Sequence, residues 1–380
     1  MIIAFDTLLL SRRYRHSGIH EYAKNLFAEL RKRIPEEDGV GFRHFVSRGY
    51  SDDGVDFRSS SGCQPVASKL LKFHRVWQLG AASVAAAMAG ADAIFSPGPT
   101  ILPSRLLPAI VTIHDAMPVK LPASVIPNSA MARAANWFAA KWSRKILTDS
   151  ESSKRDLVEA YSLQPEKITV VYLGYARAVF NTAPLEPGRQ AALLRGKGIR
   201  TPYILHHGMV QHRKNLLRLI RAFRLFRSNC KDSGAQLVLA GGFGFGAGEI
   251  RREAQKHLSE GQVAFTGPLA AEDLAALIKG AALCVIPSLY EGFCLPLVEA
   301  MACGVPTIAS DTSCIPEVSG GALAYFDPYS VESMAAQMAR AFGDSRLREQ
   351  LRTAGLERAR AYSWERCARE TLEVFKECAA

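Results

Sequence analysis

Two glutamates eight positions apart, Glu291 and Glu299, stand in the apolar run LYEGFCLPLVEAMACGVP (residues 289–306), which holds no lysine or arginine of its own. An ionised carboxylate accepts two hydrogen bonds and so matches the vicinal diol of a ribose or a hexose. Pro296 suits the first turn of a helix and Gly304 its end, so residues 297–303 are expected as one short helix, fed by a loop at 290–295. The N-terminus of such a helix offers free N–H groups and a partial positive charge to a phosphate. Carboxylates that flank a phosphate site without neutralising it point to a sugar attached to a nucleotide. The plainer alternative puts Glu299 on a solvated helix face and has Glu291 cap a turn.

A second group of residues in the same half favours the sugar-nucleotide reading. The segment GMVQHRKN, Gly208 to Asn215, follows a strand and precedes an amphipathic helix, which places Arg213 and Lys214 at a strand's carboxyl edge. Cleavage at a sugar's anomeric carbon leaves a nucleoside diphosphate with growing negative charge. Two fixed cations and a helix N-terminus stabilise such a leaving group.

The elements that must position these residues are legible as an alternation of short apolar runs with stretches of helical period. In the first half the strands are 2–5, 93–95, 110–113, 146–148 and 168–171, with helices at 19–30 and 153–161. That alternation marks parallel βα units. It breaks in NTAPLEPGRQAALLRGKGIRTP (181–202), rich in Pro, Gly and Arg as a linker would be. It resumes with strands at 203–205, 236–240, 263–265, 283–286 and 307–309 and helices at 216–226, 274–280 and 296–303. The expected fold class is α/β: two doubly wound parallel-sheet domains, residues 1–185 and 203–362, joined by a linker at 186–202 and followed by a final helix at 363–380. Ligands of such folds sit outside the carboxyl ends of the strands, and two such edges are expected to face each other across a cleft.

Composition agrees. The 380 residues exceed the roughly 250–300 at which a single core stops growing, so two domains are the default. Residues 1–180 hold 23 basic and 16 acidic side chains, which leaves +4 of the net +11 to the rest of the chain. A basic excess of this kind suits a phosphorylated ligand, an anionic membrane or nucleic acid, and does not choose among them. The eight cysteines are scattered and form no C-x-x-C pair, as in a reduced, cytoplasmic setting. The opening MIIAFDTLLL lacks a basic leader and a cleavage site and reads as a buried strand. No run reaches the ~18–20 uncharged apolar residues of a spanning helix, so any membrane contact is expected to be peripheral.

Taken in order, these segments resemble the retaining nucleotide-sugar glycosyltransferases of the GT-B fold, in the large family (family four, group one) whose second domain carries a glutamate-x7-glutamate motif with R-K-N upstream. Residues 17–22 (SGIHEY) resemble the family's G-I-G-R-Y loop, 112–115 (TIHD) its T-x-H-D, 148–154 (TDSESSK) its V-S-E-x-S-K, and 310–318 (SDTSCIPEV) its S-x-x-S-x-x-P-E-V. Tyr362-Ser363-Trp364 with the final helix resembles the segment that crosses back to the first domain. The likeness covers nearly the whole chain. It implies that Glu299 binds the ribose diol and Glu291 the donor sugar, and that Arg213 and Lys214 hold the pyrophosphate with help from backbone near Gly18. It implies also that Phe293 and Leu295 line the donor site, and that His114 meets the sugar's hydroxyls or the developing positive charge. No cofactor or metal is expected, the nucleotide sugar being a substrate.

Departures are few. Cys294 stands where the family usually has glycine or another small residue, which would narrow the sugar site; His20 replaces a glycine of G-I-G; His206 and His207 end a strand that is commonly apolar. The resemblance is strongest to bacterial mannosyltransferases of O-antigen and exopolysaccharide assembly. The expected reaction is therefore retaining transfer of a hexose, mannose from GDP-mannose first, to a glycan or lipid-linked acceptor in polysaccharide or lipopolysaccharide biosynthesis. A nucleotide-sugar epimerase or phosphorylase on the same scaffold is the alternative.

Three further features need a reading. Gly242 to Ala247 (GFGFGA) fits the dinucleotide fingerprint G-x-G-x-x-A, but it follows the second strand of its half and no acidic residue ends the next one, so a flexible loop is expected. Residues 69–77 (KLLKFHRVW) and 131–146 (MARAANWFAAKWSRKI) mix Lys and Arg with Trp and Phe, the composition of a helix at an anionic bilayer. The alternative is ordinary helices with one face on the core. Nucleic-acid binding would explain the charge but not the glutamates, and no nucleic-acid partner is expected.

Overall fold

The computed structural model describes residues 1–11, 17–33, 40–46, 62–69, 73, 76–101, 104–127 and 129–379. The chain divides into two compact units, one of Met1–Lys120, Asn128–Gly174 and Ser363–Ala380, the other of Leu121–Pro127 and Tyr175–Tyr362. Each is built on one parallel sheet.

The first unit has seven strands, β1 (Ile2–Phe5), β2 (Gly41–Val46), β3 (Cys63–Ala67), β4 (Ala93–Ser96), β5 (Ala109–Thr112), β6 (Lys145–Thr148) and β7 (Ile168–Val170). Their order across the sheet is β3-β2-β1-β4-β5-β6-β7. The second unit has six, β8 (Tyr203–His207), β9 (Gln236–Ala240), β10 (Val263–Gly267), β11 (Leu283–Ile286), β12 (Thr307–Ser310) and β13 (Ala324–Phe326), in the order β10-β9-β8-β11-β12-β13. In both sheets the winding reverses beside the first strand of the unit, between β1 and β4 and between β8 and β11. That switch point opens a crevice at the strands' carboxyl ends.

The central strands are continuous apolar runs because helices cover both faces of a parallel sheet; β4, β5, β8, β9 and β11 are buried along their whole length. Three strands were not anticipated, the edge strand β13 among them. β2 (GFRHFV) is broken by Arg43 and His44, and β3 (CQPVA) carries Pro65, which an edge strand accommodates because one side of it bonds to no neighbour. The expected linker at 186–202 instead lies within the second unit and carries the helix Arg189–Gly196, tied down by Arg189 Nη2 donating to Asp273 at 2.9 Å.

The core of the first unit includes the last helix, Trp364–Ala379. Its Phe375 ring lies 5.0 Å from that of Phe95 and 6.0 Å from that of Phe42, and Phe95 in turn lies 5.3 Å from Phe5. Gly174 lets the two ends of the unit meet: a Cβ there would lie 2.1 Å from the Trp364 backbone nitrogen and 2.4 Å from the Ser363 carbonyl carbon. Backbone cannot yield as a flexible side chain can. Gly174→Ala is therefore expected to lower stability by about 1–3 kcal/mol or more, the usual cost of overpacking, measured as a fall in the urea midpoint.

Candidate functional site

In the second unit β8 ends at His207, and the chain turns through Gly208 (φ +126°) towards one 3-10 turn, His212–Lys214. Asn215 closes that turn in the left-handed region (φ +58°), which Asn tolerates better than most residues, and its Nδ2 donates to Pro328 O at 2.7 Å. The same residue opens the helix Leu216–Asn229, anchored by the buried Leu216, Leu219, Ile220 and Phe223. Arg213 and Lys214 are thus held between a strand end and an anchored helix.

Both cations close on Glu291. Arg213 Nη1 donates to its Oε2 at 2.8 Å, and Lys214 Nζ donates to its Oε1. The Glu291 and Lys214 side chains are only 7% and 5% exposed. The apolar stretch has no cation of its own, so the fold brings two from 78 and 77 positions upstream. Burial by itself would raise the Glu291 carboxyl, but the charges of Arg213 and Lys214 and the hydrogen bond from Lys214 outweigh it and hold the group at about 2. Glu291 is therefore the anion of a buried ion triad and not a turn cap.

The glycine-rich segment that imitates a dinucleotide fingerprint braces this group. Gly208 N donates to Ala240 O (2.9 Å), Val210 N to Gly242 O (2.8 Å), Gly244 N to Val210 O (2.9 Å) and His212 N to Phe245 O (3.1 Å). A Cβ on Gly241 (φ +141°) would lie 2.1 Å from Gly208 O, and one on Gly246 (φ +84°) would fall within about 2 Å of the His212 ring. The glycines are spaced to let one loop lie flat on another. The expected flexible loop is a hydrogen-bonded support.

The loop after β11 enters the helix Leu295–Ala302 through Cys294, which holds φ +69° as a non-glycine residue, with Pro296 in the first turn. That conformation costs a side-chain-bearing residue roughly 1 kcal/mol or more, so what glycine offers at this place is backbone freedom as well as space. Burial pushes the Cys294 thiol up to about 12. Phe293 packs edge-on against Tyr362, with centroids 5.2 Å apart. Glu299, one turn into the helix, is 18% exposed and lies 3.3 Å from Nε2 of the buried His207, at an angle that makes no hydrogen bond. It is not on a solvated face.

Gly18 and His114 belong to the first unit. Gly18 opens the helix Gly18–Arg33, where Ser17 Oγ accepts from His20 N at 3.2 Å. A Cβ on Gly18 would meet nothing within 4 Å, so internal packing does not demand the glycine. His20 is buried, its Nδ1 2.8 Å from Leu9 O. His114 follows β5, with Nδ1 2.8 Å from Asp149 Oδ2 and Nε2 3.1 Å from Pro97 O. The structure thus brings Arg213, Lys214 and Glu291 into direct contact, with Glu299 on the helix that follows. Sequence reasoning missed Asn215, the glycine brace and Asp149; the last was visible only as an acidic residue inside TDSESSK.

A family model described as glycosyl transferases group 1 matches residues 195–358. The O-antigen chain mannosyltransferase B of Escherichia coli is 30% identical over 278 residues, 72% of each chain. The chain belongs to the group 1 glycosyltransferases. Among solved structures, sucrose-phosphate synthase from Thermosynechococcus elongatus superposes with a TM-score of 0.76 at 19% identity, covering 99% of this chain and 98% of that one. Anabaena Alr3699/HepE in complex with UDP-glucose superposes at 0.70 with 15% identity, covering 99% of this chain and all of that one. The fold of this glycosyltransferase is accordingly GT-B, two Rossmann-like parallel-sheet domains.

Glu291→Gln leaves the buried Lys214 and the half-buried Arg213 without their counter-charge and is expected to cost about 3–5 kcal/mol at pH 7, read by chemical denaturation. The folded carboxyl sits below its ordinary 4.5, so the stabilisation is full above that value and is lost as pH falls towards 2. The gap between wild type and variant should close over that window; a gap independent of pH would refute the triad as the cause.

Proposed function

We propose that this glycosyltransferase moves a hexose, with retention of anomeric configuration, from a nucleoside diphosphate sugar to a hydroxyl of a glycan or lipid-linked glycan, and that the donor is GDP-mannose. The carrying observation is the Arg213–Lys214–Glu291 triad at the carboxyl edge of β8. Lys214 Cε and Pro296 Cγ, the latter in the first turn of Leu295–Ala302, both come within 3.8 Å of where a Cβ on Gly208 would lie. One cation of the triad, Lys214, and a helix N-terminus therefore converge on one glycine, with Arg213 beside them on the same carboxylate, as suits an anionic leaving group. The mannose assignment is supported by the O-antigen mannosyltransferase relative, and the nucleotide-sugar donor by the UDP-glucose complex of the structural neighbour.

In the reaction the bond from the anomeric carbon to the diphosphate oxygen breaks, and the acceptor oxygen bonds to that carbon on the same face. The leaving phosphate takes the acceptor's proton, so no enzyme base is needed. Arg213 and Lys214 offset the charge that develops on the diphosphate. Glu291 uses one lone-pair site on each oxygen for the cations, and a carboxylate has about four, which leaves capacity for sugar hydroxyls. Glu299 accepts from the ribose diol; within the first unit, Gly18 at a helix N-terminus leaves open space. No metal takes part.

A panel of GDP-mannose, GDP, UDP-glucose, UDP-N-acetylglucosamine, UDP and NADH in thermal shift, with and without EDTA, tests the donor. Stabilisation by the guanine nucleotides is expected, insensitive to EDTA. In Glu299→Gln donor affinity should fall by about 1.5–3 kcal/mol, the worth of hydrogen bonds to a charged acceptor. A shift with NADH alone would overturn the reading.

We further place the enzyme at the cytoplasmic face of an anionic membrane. Among the described residues no helix is long and apolar enough to cross one. The helix Ser129–Trp142 buries Asn136, Ala139 and Ala140 and leaves Met131 (75%), Trp137 (44%), Phe138 (43%) and Trp142 (54%) exposed, with Arg133 and Lys141 on the same helix. Exposed tryptophans among basic residues suit a headgroup layer. In the other aromatic-basic segment Trp77 is core, its Nε1 donating to the buried Asp6 at 2.9 Å, while Lys72 and Arg75 lie outside the described residues. Co-sedimentation with phosphatidylglycerol vesicles should be lost in Trp137→Ala/Trp142→Ala; equal binding by that variant would rule this helix out.

A further inference from the structure

His114 lies where the carboxyl ends of β4, β5 and β6 meet. Its two ring nitrogens are both in use: Nδ1 lies 2.8 Å from Asp149 Oδ2 and Nε2 lies 3.1 Å from the carbonyl oxygen of Pro97. A carbonyl and an ionised carboxylate only accept, so each ring nitrogen must carry a hydrogen. Neutral imidazole has one N–H. We propose that Asp149 is a positioning residue that keeps His114 doubly protonated and its ring locked, making His114 a fixed positive charge and not a base or a hydrogen-bonding partner of the donor sugar.

The surroundings agree. The His114 and Asp149 side chains are 12% and 6% exposed, so the charge is poorly screened. Burial opposes the cation, yet the Asp149 charge and hydrogen bond, the nearby Asp115 and the Pro97 carbonyl prevail and raise the imidazole above its ordinary value. The other titratable groups here are Tyr22, edge-on to the imidazole with centroids 4.8 Å apart, and the buried Cys367, which interacts with Asp149 and Tyr22; burial pushes both up, so neither ionises in the range where histidine titrates. Tyr22 is itself held by Thr112, hydroxyl to hydroxyl at 2.9 Å. Asp149 stands where the motif V-S-E-x-S-K has its valine.

A ring with both N–H groups committed presents only carbon edges elsewhere. It cannot bind a sugar hydroxyl without giving up Asp149 or Pro97, and its charge repels a developing oxocarbenium ion. A fixed positive charge at the carboxyl edge of β5 favours negative charge in a ligand bound there. This last step rests on the donor reading given above; the protonation state does not.

The test uses the full chain labelled with [13Cε1]-histidine, the His114 signal being identified as the one missing from His114→Gln. In wild type His114 should titrate above the ~6.5 of an ordinary histidine, and in Asp149→Asn at least one pH unit lower. Titration of wild type at or below 6.5, or no movement in Asp149→Asn, overturns the proposal. Should Asp149→Asn not fold, the wild-type titration alone decides. For transfer from GDP-mannose, the alkaline fall of kcat/KM should track the wild-type NMR value and move down by the same interval in Asp149→Asn. An NMR shift with an unmoved rate profile would remove the role in transfer. Absence of transfer from any donor would sink the donor reading and leave the titration result standing.

Discussion

A carboxylate buried between two cations is costly to assemble, because each charge gives up its water before it gains a partner. Glu291 with Arg213 and Lys214 is such an assembly, and much of the second unit is arranged around it. Asn215 accepts a left-handed backbone so that the cations leave the strand at the right angle. Ser313 Oγ accepts from the Glu291 amide at 3.0 Å, and Ser310 Oγ donates to Ser288 O at 2.7 Å, fixing the loop that delivers the anion. The Leu289 amide donates to Arg213 O at 3.0 Å, joining the two loops by backbone as well as by charge.

The cations are thus fixed before any ligand arrives. Free lysine and arginine side chains would have to surrender rotamer entropy on meeting a diphosphate; here that cost is met in folding. The glycine brace serves the same end. Its residues hold the 208–212 backbone in four hydrogen bonds, with no room for a side chain at Gly241 or Gly246.

What was legible in the sequence follows from this division. Strands covered on both faces, such as IIAF and LCVI, announce themselves as apolar runs, and the βα alternation yields the two-sheet architecture directly. β2 and β3 lie towards the sheet edge, where His44 and Pro65 are tolerated and the pattern fades. The helix at 295–302 is marked by Pro296 and Gly304 at its ends. Which charges meet was not legible, since Glu291 and its cations are separated by 77 and 78 positions and no local rule joins them. The GFGFGA segment misled for a related reason: glycine spacing records close approach of backbone, and another loop demands it as firmly as a pyrophosphate does. Likewise QAALL inside 186–202 has the propensity of a helix, and Asp273 across the fold secures it, while the flanking Pro and Gly suggest a linker.

The contact between Gly174 and Trp364 has a consequence for how the molecule is made. The first unit is split in sequence, and its Phe42 and Phe95 find Phe375 only after 333 and 280 further residues, respectively, have been added. During synthesis from the N-terminus the second unit, continuous from Tyr175 to Tyr362 apart from one short segment, has the chain it needs first. The N-terminal sheet emerges early and is completed late, so its apolar Phe42–Phe95 face stays uncovered on the ribosome until the last helix is made, and that interval is when the nascent chain most needs a chaperone.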